Sequence, residues 1–253
     1  HYSAAQRPLD LRHAPMMALA GAEDREHGRW LGLLRFHHLV NDAVSVQVLL
    51  GELRALMSDQ GHTLPAPVPY RNYVALSGAE ARQQGHEAFL RALLAGVEAP
   101  PTLPGMVEDH VQEGALESLA HEVPLVLTEA LRRLARQQDV GLASLFHLAW
   151  AQVLGALGGR DDVVFGSVLL GRMMAGEGAD RALGMFINSL PLRVSLTGRS
   201  VAQALADTHA GLAALLGHED APLLLAQRCS GLPAGVPLFN SLINFRHGLV
   251  AGQ

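Results

Sequence analysis

The sequence is poor in cysteine, in aromatic residues and in basic charge. Its single cysteine, Cys229, excludes an internal disulfide and indicates a reducing compartment. Lys and Arg number 19 against 24 Asp and Glu, so the net charge of -5 does not favour a nucleic-acid partner. No apolar run approaches the roughly 18 residues of a membrane span, and no signal peptide is recognisable. We therefore expect a cytoplasmic protein that binds neither nucleic acid nor membrane.

The length and composition are those of a globular protein with one large domain or two modest ones. Of the 253 residues, 49% are hydrophobic and 17% are charged. Residues 100–114 are rich in Pro, Gly and acidic side chains, which predicts a linker. Because the chain begins without Met inside a patterned segment, we expect it to be a piece of a longer protein.

The most informative stretch is an apolar segment, residues 30–36, that ends in two histidines. His37 and His38 are followed by Asp42, and a helical pattern begins shortly afterwards. A strand-to-helix turn exposes reactive side chains on a rigid element. Adjacent histidines on a strand point to opposite faces and do not easily share a metal ion, so we predict no metal site. The pattern predicts one imidazole acting as a base or hydrogen-bond partner, with Asp42 as an orienting carboxylate; two ordinary histidines are the alternative.

Helices and strands alternate along the chain without regular spacing, and no GxGxxG motif or phosphate-binding loop is present. We predict an antiparallel pair of strands around 16–20 and 30–36, further strands at 123–127, 162–170, 185–196 and 238–245, and a loop at 173–184. Helices are predicted at 44–57, 79–95, 128–138 with Thr128 as N-cap, 143–157, and 201–216 after a capping box formed by Ser200 and Gln203.

Six segments, in order, resemble the motifs of condensation domains of nonribosomal peptide synthetases. HHLVNDA at 37–43 resembles the family's HHxxxDG motif, and YRNYVA at 70–75 resembles its YxDFAxW motif. The other four are DDVVFGSVLLGR at 161–172, GMFINSLPLR at 184–193, HEDAPL at 218–223 and PLFNSLINF at 237–245. HHxxxDG alone recurs in other acyltransferases, whereas six ordered motifs span nearly the whole chain. The family's two earliest motifs, an SxAQ-type helix and an RHExLRT segment, have no counterpart here.

The resemblance implies an α/β (α+β) fold of the chloramphenicol-acetyltransferase-like class, arranged as a two-lobed, V-shaped pseudo-dimer. Residues 1–110 would form part of an incomplete N-terminal lobe that carries the HHxxxDA sequence, and residues 111–253 part of the C-terminal lobe. The active site of the family lies in a tunnel between the lobes. The linker predicted at 100–114 would lie close to the lobe boundary.

The resemblance also implies a reaction, in which an acyl or peptidyl thioester donor is joined to an aminoacyl acceptor, each on a carrier protein. His38, the second histidine of the motif, would take the proton from the attacking amine or stabilise the tetrahedral intermediate, with His37 beside it. Asp42 would be structural and paired with Arg172 after the strand. The domain itself would bind no cofactor and no metal, because the substrates arrive on phosphopantetheine arms. Its partners would be the upstream donor and downstream acceptor carrier proteins and an adjacent adenylation domain.

Five small or polar residues are expected to contact substrate: Ala43, Ser45, Ser167, Asn188 and Ser189. Asn188 and Ser189 would lie near the tunnel floor, or would be ordinary polar groups at a strand end. Ala43 stands where the motif has Gly, a residue that permits positive φ or a close backbone approach. Its methyl group would narrow the acceptor path, or would be tolerated if φ is negative.

Four other functions stay open from the sequence. A starter condensation domain, which acylates the first amino acid with a fatty acyl group, shares the acceptor geometry. An epimerisation domain shares HHxxxDG but is expected to differ at 186–191. A non-catalytic recruitment domain would carry a disrupted motif, and a free-standing acetyltransferase would lack the segment at 237–245.

Overall fold

The chain opens with a β-hairpin that ends at the histidine pair. The computed structural model describes residues 9–97, 117–233 and 235–246. Strands β1 (Met17–Asp24) and β2 (Arg29–Phe36) pair antiparallel along their full lengths. Gly28 closes the turn between them with φ of 60°, a conformation that costs Gly little. The predicted strand pair is confirmed, and β2 ends immediately before His37.

The described residues gather into two compact units. The first contains the residues up to Gly78 together with Ala175–Ile187, and the second contains Ala79–Met174 and the residues from Asn188 onward. The predicted linker at 100–114 lies outside the described residues, as does the predicted lobe boundary near residue 110. The division into lobes therefore stays a prediction.

The first unit continues with three helical elements and has a small core that contains aromatic side chains. Its helical elements are α1 (Ala43–Met57), a short 3₁₀ helix (Gly61–Thr63) and α2 (Arg71–Ser77). Phe186 is buried, and its ring meets the ring of Tyr70 edge-on, with centroids 5.1 Å apart. Tyr73 packs on the same ring at 4.7 Å. The loop predicted at 173–184 thus supplies part of the core of this unit, through Ala175, Ala179 and Ala182.

The second unit is built on a three-stranded sheet in the order β4–β3–β5. Its strands are β3 (Asp162–Leu169), β4 (Asn188–Ser195) and β5 (Leu242–Ile243), with β4 antiparallel and β5 parallel to β3. Its helices are α3 (Glu80–Leu94), α4 (Leu125–Gln137), α5 (Leu142–Gly158), α6 (Val201–Leu216) and α7 (Leu223–Cys229). Apolar side chains of β3, β4, α5 and α6 form its main core. The predicted helices at 79–95 and 143–157 are confirmed.

Of two predictions for the first residues of helices, one is confirmed and one is wrong. The capping box of α6 is confirmed, because Ser200 Oγ accepts from the Gln203 amide and the Gln203 side chain accepts from the Ser200 amide. The strand predicted at 123–127 is wrong, since α4 begins at Leu125 and Thr128 lies inside it. The amide of Thr128 donates to the carbonyl of Pro124 at 2.9 Å, and the proline ring fixes a φ close to the helical value. A short apolar run cannot by itself distinguish a strand from the first turn of a helix.

No single helix among the described residues is long and apolar enough to cross a membrane. The helices α4 and α5 reach the required apolar length only when they are taken together, across a bend of 107°.

Candidate functional site

The turn between β2 and α1 fixes the tautomer of His38. Nδ1 of His38 lies 2.9 Å from the carbonyl oxygen of Asn41. Because a carbonyl only accepts hydrogen bonds, Nδ1 must carry the proton, and Nε2 of the neutral ring keeps its lone pair. His38 as a whole is exposed. The contact of Nδ1 orients the ring, and the predicted role of His38 as a base stays a prediction.

His37 has the opposite arrangement. Its Nδ1 accepts the backbone amide of Leu39 at 3.1 Å, so in the neutral ring the proton is on Nε2. The ring is half-buried, and its acceptor nitrogen is occupied by the turn itself. In the neutral rings, Nε2 is therefore the acceptor nitrogen of His38 and the donor nitrogen of His37, and the role of either ring in catalysis stays a prediction.

Asp42 links the start of α1 to a segment far along the chain. Its Oδ1 accepts the Ser45 amide at 2.8 Å and thereby caps the helix, while Oδ2 accepts the Phe186 amide at 3.2 Å. The side chain is 1% exposed. These two bonds give Asp42 a structural role. Its predicted pairing with Arg172 and its predicted contact with an imidazole stay predictions.

Ser45 and Tyr70 hold the same distant segment. The hydroxyl of buried Ser45 donates to the carbonyl of Gly184 at 2.8 Å and accepts the Gly184 amide at 3.0 Å. The Tyr70 hydroxyl donates to the carbonyl of Met185. A Cβ on Gly184 would overlap the Tyr70 ring, so this position requires glycine. The first unit thus fixes residues 184–186 through three side chains, and the predicted contact of Ser45 with substrate stays a prediction.

Ala43 is the first residue of α1 and is exposed. Among the described residues other than glycine, only Asp59 and Asp139 have positive φ. Ala43 therefore has a backbone conformation that alanine tolerates. Whether its methyl group narrows the acceptor path stays a prediction.

In the second unit, Ser167 is paired with a buried histidine. Nδ1 of His147 lies 2.7 Å from the Ala143 carbonyl and so carries the proton, while Nε2 lies 2.9 Å from the Ser167 hydroxyl and accepts from it. Burial lowers the pKa of His147, in keeping with this neutral ring. Both side chains are at most 3% exposed. The pair joins α5 to β3, and substrate contact by Ser167 stays a prediction.

Asn188 and Ser189 open strand β4 and are half-buried. The Asn188 amide nitrogen donates to the carbonyl oxygens of Glu219 and Ala221, at 2.9 and 2.7 Å. Its side-chain oxygen accepts the Ser189 amide at 2.9 Å. Three hydrogen bonds therefore fix the orientation of the Asn188 side chain, whose role toward substrate stays a prediction.

Arg172 lies in the turn that follows β3, and a buried carboxylate holds that turn. Glu219 is 1% exposed, and its two oxygens accept the amides of Gly171 and Met174, at 3.1 and 2.7 Å. Burial raises the pKa of Glu219, against the opposing effect of these backbone hydrogen bonds. The predicted site residues are thus divided between the units, with His37, His38, Asp42, Ala43 and Ser45 in the first, and Ser167, Arg172, Asn188 and Ser189 in the second.

Sequence reasoning missed the side chains that support these positions, above all Glu219 and His147. Glu219 belongs to the HEDAPL segment, which was matched as a motif without a role for each residue. His147 lies on the apolar pattern of α5, where a polar residue between hydrophobic ones was the available signal. Within the described ranges, no group of three His, Cys, Asp or Glu side chains is placed to hold a metal ion.

Comparison with known proteins places the whole chain in one family. A protein-family model described as a condensation domain matches residues 2–250. Malpinin synthetase from Mortierella alpina is 44% identical over 239 residues, which cover 94% of this chain. Malpibaldin synthetase from the same organism is 42% identical over 246 residues, or 97% of the chain. The matched segments make up only 3% and 4% of those two synthetases.

Solved structures show the same relationship. The first condensation domain of the calcium-dependent antibiotic synthetase, in complex with a substrate analogue, is 27% identical with a TM-score of 0.63. That match covers 86% of this chain and 51% of the solved one. The starter condensation domain of rhizomide synthetase, at 22% identity and a TM-score of 0.67, shares the fold over 94% of this chain and 55% of its own. The predicted fold class is confirmed.

Proposed function

The chain belongs to the condensation-domain family, and from that premise we propose that it forms an amide bond between two carrier-bound substrates. The donor is an acyl or peptidyl thioester, and the acceptor is the free amine of an aminoacyl thioester. The amine attacks the thioester carbonyl, the carbon–sulfur bond breaks, and the donor carrier leaves as a free thiol. The amine proton is lost during the attack, so the reaction needs a base but no oxidant or reductant.

The observation that carries the proposal is the orientation of His38. Its Nδ1 is committed to the Asn41 carbonyl at 2.9 Å, which leaves Nε2 as an exposed acceptor at the end of a strand. A base positioned in this way is worth roughly 10²–10⁴ in rate. Holding the two reactants in line supplies a contribution at least as large. We therefore expect the variant without His38 to be slow but still active.

The wider setting of the reaction follows from the same premise. Donor and acceptor arrive on the phosphopantetheine arms of an upstream and a downstream carrier protein, and an adenylation domain lies next to the condensation domain. The domain works in the cytoplasm and needs no cofactor or metal of its own. Two observations support this setting. The chain matches a small part of very long synthetases, and a relative from Gibberella zeae, 32% identical over 87% of this chain, is itself named a nonribosomal peptide synthetase.

The test is transfer between carriers within the longer protein. Donor and acceptor arms are loaded, and intact-protein mass spectrometry follows the donor mass. Appearance of that mass on the acceptor carrier, joined through an amide that tandem mass spectrometry locates on the amino acid, is the expected result. A control with an acetylated acceptor amine should show no transfer. If no donor mass moves while both carriers still bind the domain, the proposal is wrong and a recruitment role replaces it.

A further inference from the structure

A short segment between α6 and α7, residues 218–221, contacts two predicted site elements at once. We refer to it as the anchor segment. The carboxylate of Glu219 spans the turn after β3, because one oxygen accepts the Gly171 amide and the other the Met174 amide. Arg172 lies between these two attachment points. Both ends of the turn are therefore fixed by a single side chain that is 1% exposed.

The backbone of the anchor segment holds the start of β4. The carbonyl oxygens of Glu219 and Ala221 accept the two hydrogens of the Asn188 amide nitrogen, at 2.9 and 2.7 Å. Asn188 in turn accepts the Ser189 amide. A displacement of the anchor segment would therefore move the turn that carries Arg172 and the first residues of β4 together.

The anchor segment is itself fixed to α3 by an ion pair. The carboxylate of Asp220 accepts two hydrogen bonds from the Arg82 guanidinium at 2.5 Å, and its side chain is 3% exposed. Burial would raise the pKa of Asp220, but the contact with Arg82 outweighs it, and the net shift is downward. His86, also on α3, lies 3.4 Å from the same carboxylate. The anchor segment is therefore held by α3 as well as by its contacts with the turn after β3 and with β4.

We propose that Glu219 is a positioning residue for condensation, which sets the turn of Arg172 and, through its own backbone, the side chain of Asn188. This inference rests on the function proposed above. Glu219 does not touch the reacting atoms in this account. It raises the maximal rate by holding the turn of Arg172 and the start of β4 in one geometry. A misplacement of about 1 Å lowers the rate on the order of 10²-fold.

The test uses two variants in the longer protein, with the acceptor carrier supplied separately so that kcat and KM are measured independently. Glu219→Ala removes both acceptors, and we expect kcat to fall about 10- to 100-fold while KM for the carrier changes little. The amides of Gly171 and Met174 should lose protection in hydrogen–deuterium exchange. Glu219→Gln keeps the shape and one acceptor oxygen, so it should restore part of kcat and protect one of the two amides.

The matched control is Glu87→Gln, which makes the same chemical change at an exposed ion pair with Arg91 on α3. It should behave as wild type in both measurements. If Glu219→Ala exposes the two amides but leaves kcat unchanged, or if Glu219→Gln is no better than Ala, the positioning role is wrong. Failure of the proposed function is distinguishable, since the wild-type protein itself would then transfer nothing, and the catalytic part of this inference would be wrong with it.

Discussion

Replacing Asp42 tests whether its carboxylate is the structural link between α1 and residues 184–186. The carboxylate is 1% exposed and accepts two backbone amides, from Ser45 at 2.8 Å and from Phe186 at 3.2 Å. Asp42→Ala leaves both buried N–H groups without this acceptor. Asp42→Asn keeps a carbonyl oxygen for the Ser45 amide, since Asn is as good an N-cap as Asp, but loses the second acceptor.

The expected loss in the free energy of unfolding follows from the number of backbone amides that lose their acceptor. A buried donor left without an acceptor costs about 1–3 kcal/mol, so Asp42→Ala should lower the free energy of unfolding by about 2–6 kcal/mol. Asp42→Asn should cost about 1–3 kcal/mol, roughly half as much. The control is Asp59→Asn, an exposed position just after α1 with φ of 56°, where Asn is also tolerated. It should change stability by less than about 0.5 kcal/mol.

Urea unfolding followed by circular dichroism measures all three variants, with the free energy taken from the midpoint and the slope. The order of stability should be wild type and Asp59→Asn, then Asp42→Asn, then Asp42→Ala. An Asp42→Ala protein within about 0.5 kcal/mol of wild type would show that the Asp42 carboxylate is not a structural link. So would an Asn variant that is less stable than the Ala variant.

Further predictions concern packing and pH. Gly184→Ala places a methyl group against the Tyr70 ring and should lower the free energy of unfolding by about 1–3 kcal/mol. The control Gly51→Ala, in open space in the middle of α1, should raise it by about 0.5–1 kcal/mol. Equal effects of the two variants in thermal unfolding would contradict the packing of Gly184 against Tyr70. Burial lowers the pKa of His86 and of His218, so the unfolded chain binds more protons near their ordinary value of about 6.5. Stability should therefore fall as the pH is lowered from 7.5 to 5.5. A urea midpoint that rises as the pH is lowered would contradict the lowered pKa values of these two histidines.

The hairpin, the histidine turn and α1 could be predicted from sequence because each depends on local pattern. An apolar run followed by polar residues predicts a strand that ends, and the helical period after it predicts a helix. The structure confirms both, since β2 ends at Phe36 and α1 begins at Ala43. The role of Asp42 as the N-cap of α1 was not predicted. The same reasoning failed at α4, because the exposed apolar residues Leu125 and Val126 carry no periodic signal that separates strand from helix.

The supporting contacts could not be predicted, because they join residues far apart in the chain. Asp42 and Phe186 are separated by 144 positions, and Ser45 and Gly184 by 139. A sequence pattern shows that a residue is polar within an apolar environment, but it does not show which backbone amide will need that residue as an acceptor. Glu219 is the clearest case, since its two partners are defined only by the course of the turn after β3.

We propose that His38, and not His37, takes up the proton of the attacking amine. Single-turnover transfer between loaded carriers should be measured for His38→Ala, His37→Ala and the control His62→Ala, an exposed histidine in the 3₁₀ helix. We expect the rate of transfer to fall by a factor of roughly 10²–10⁴ in His38→Ala and by less than about 10-fold in His37→Ala, and to be unchanged in His62→Ala. A His37→Ala protein that is folded yet slower than His38→Ala would contradict this proposal.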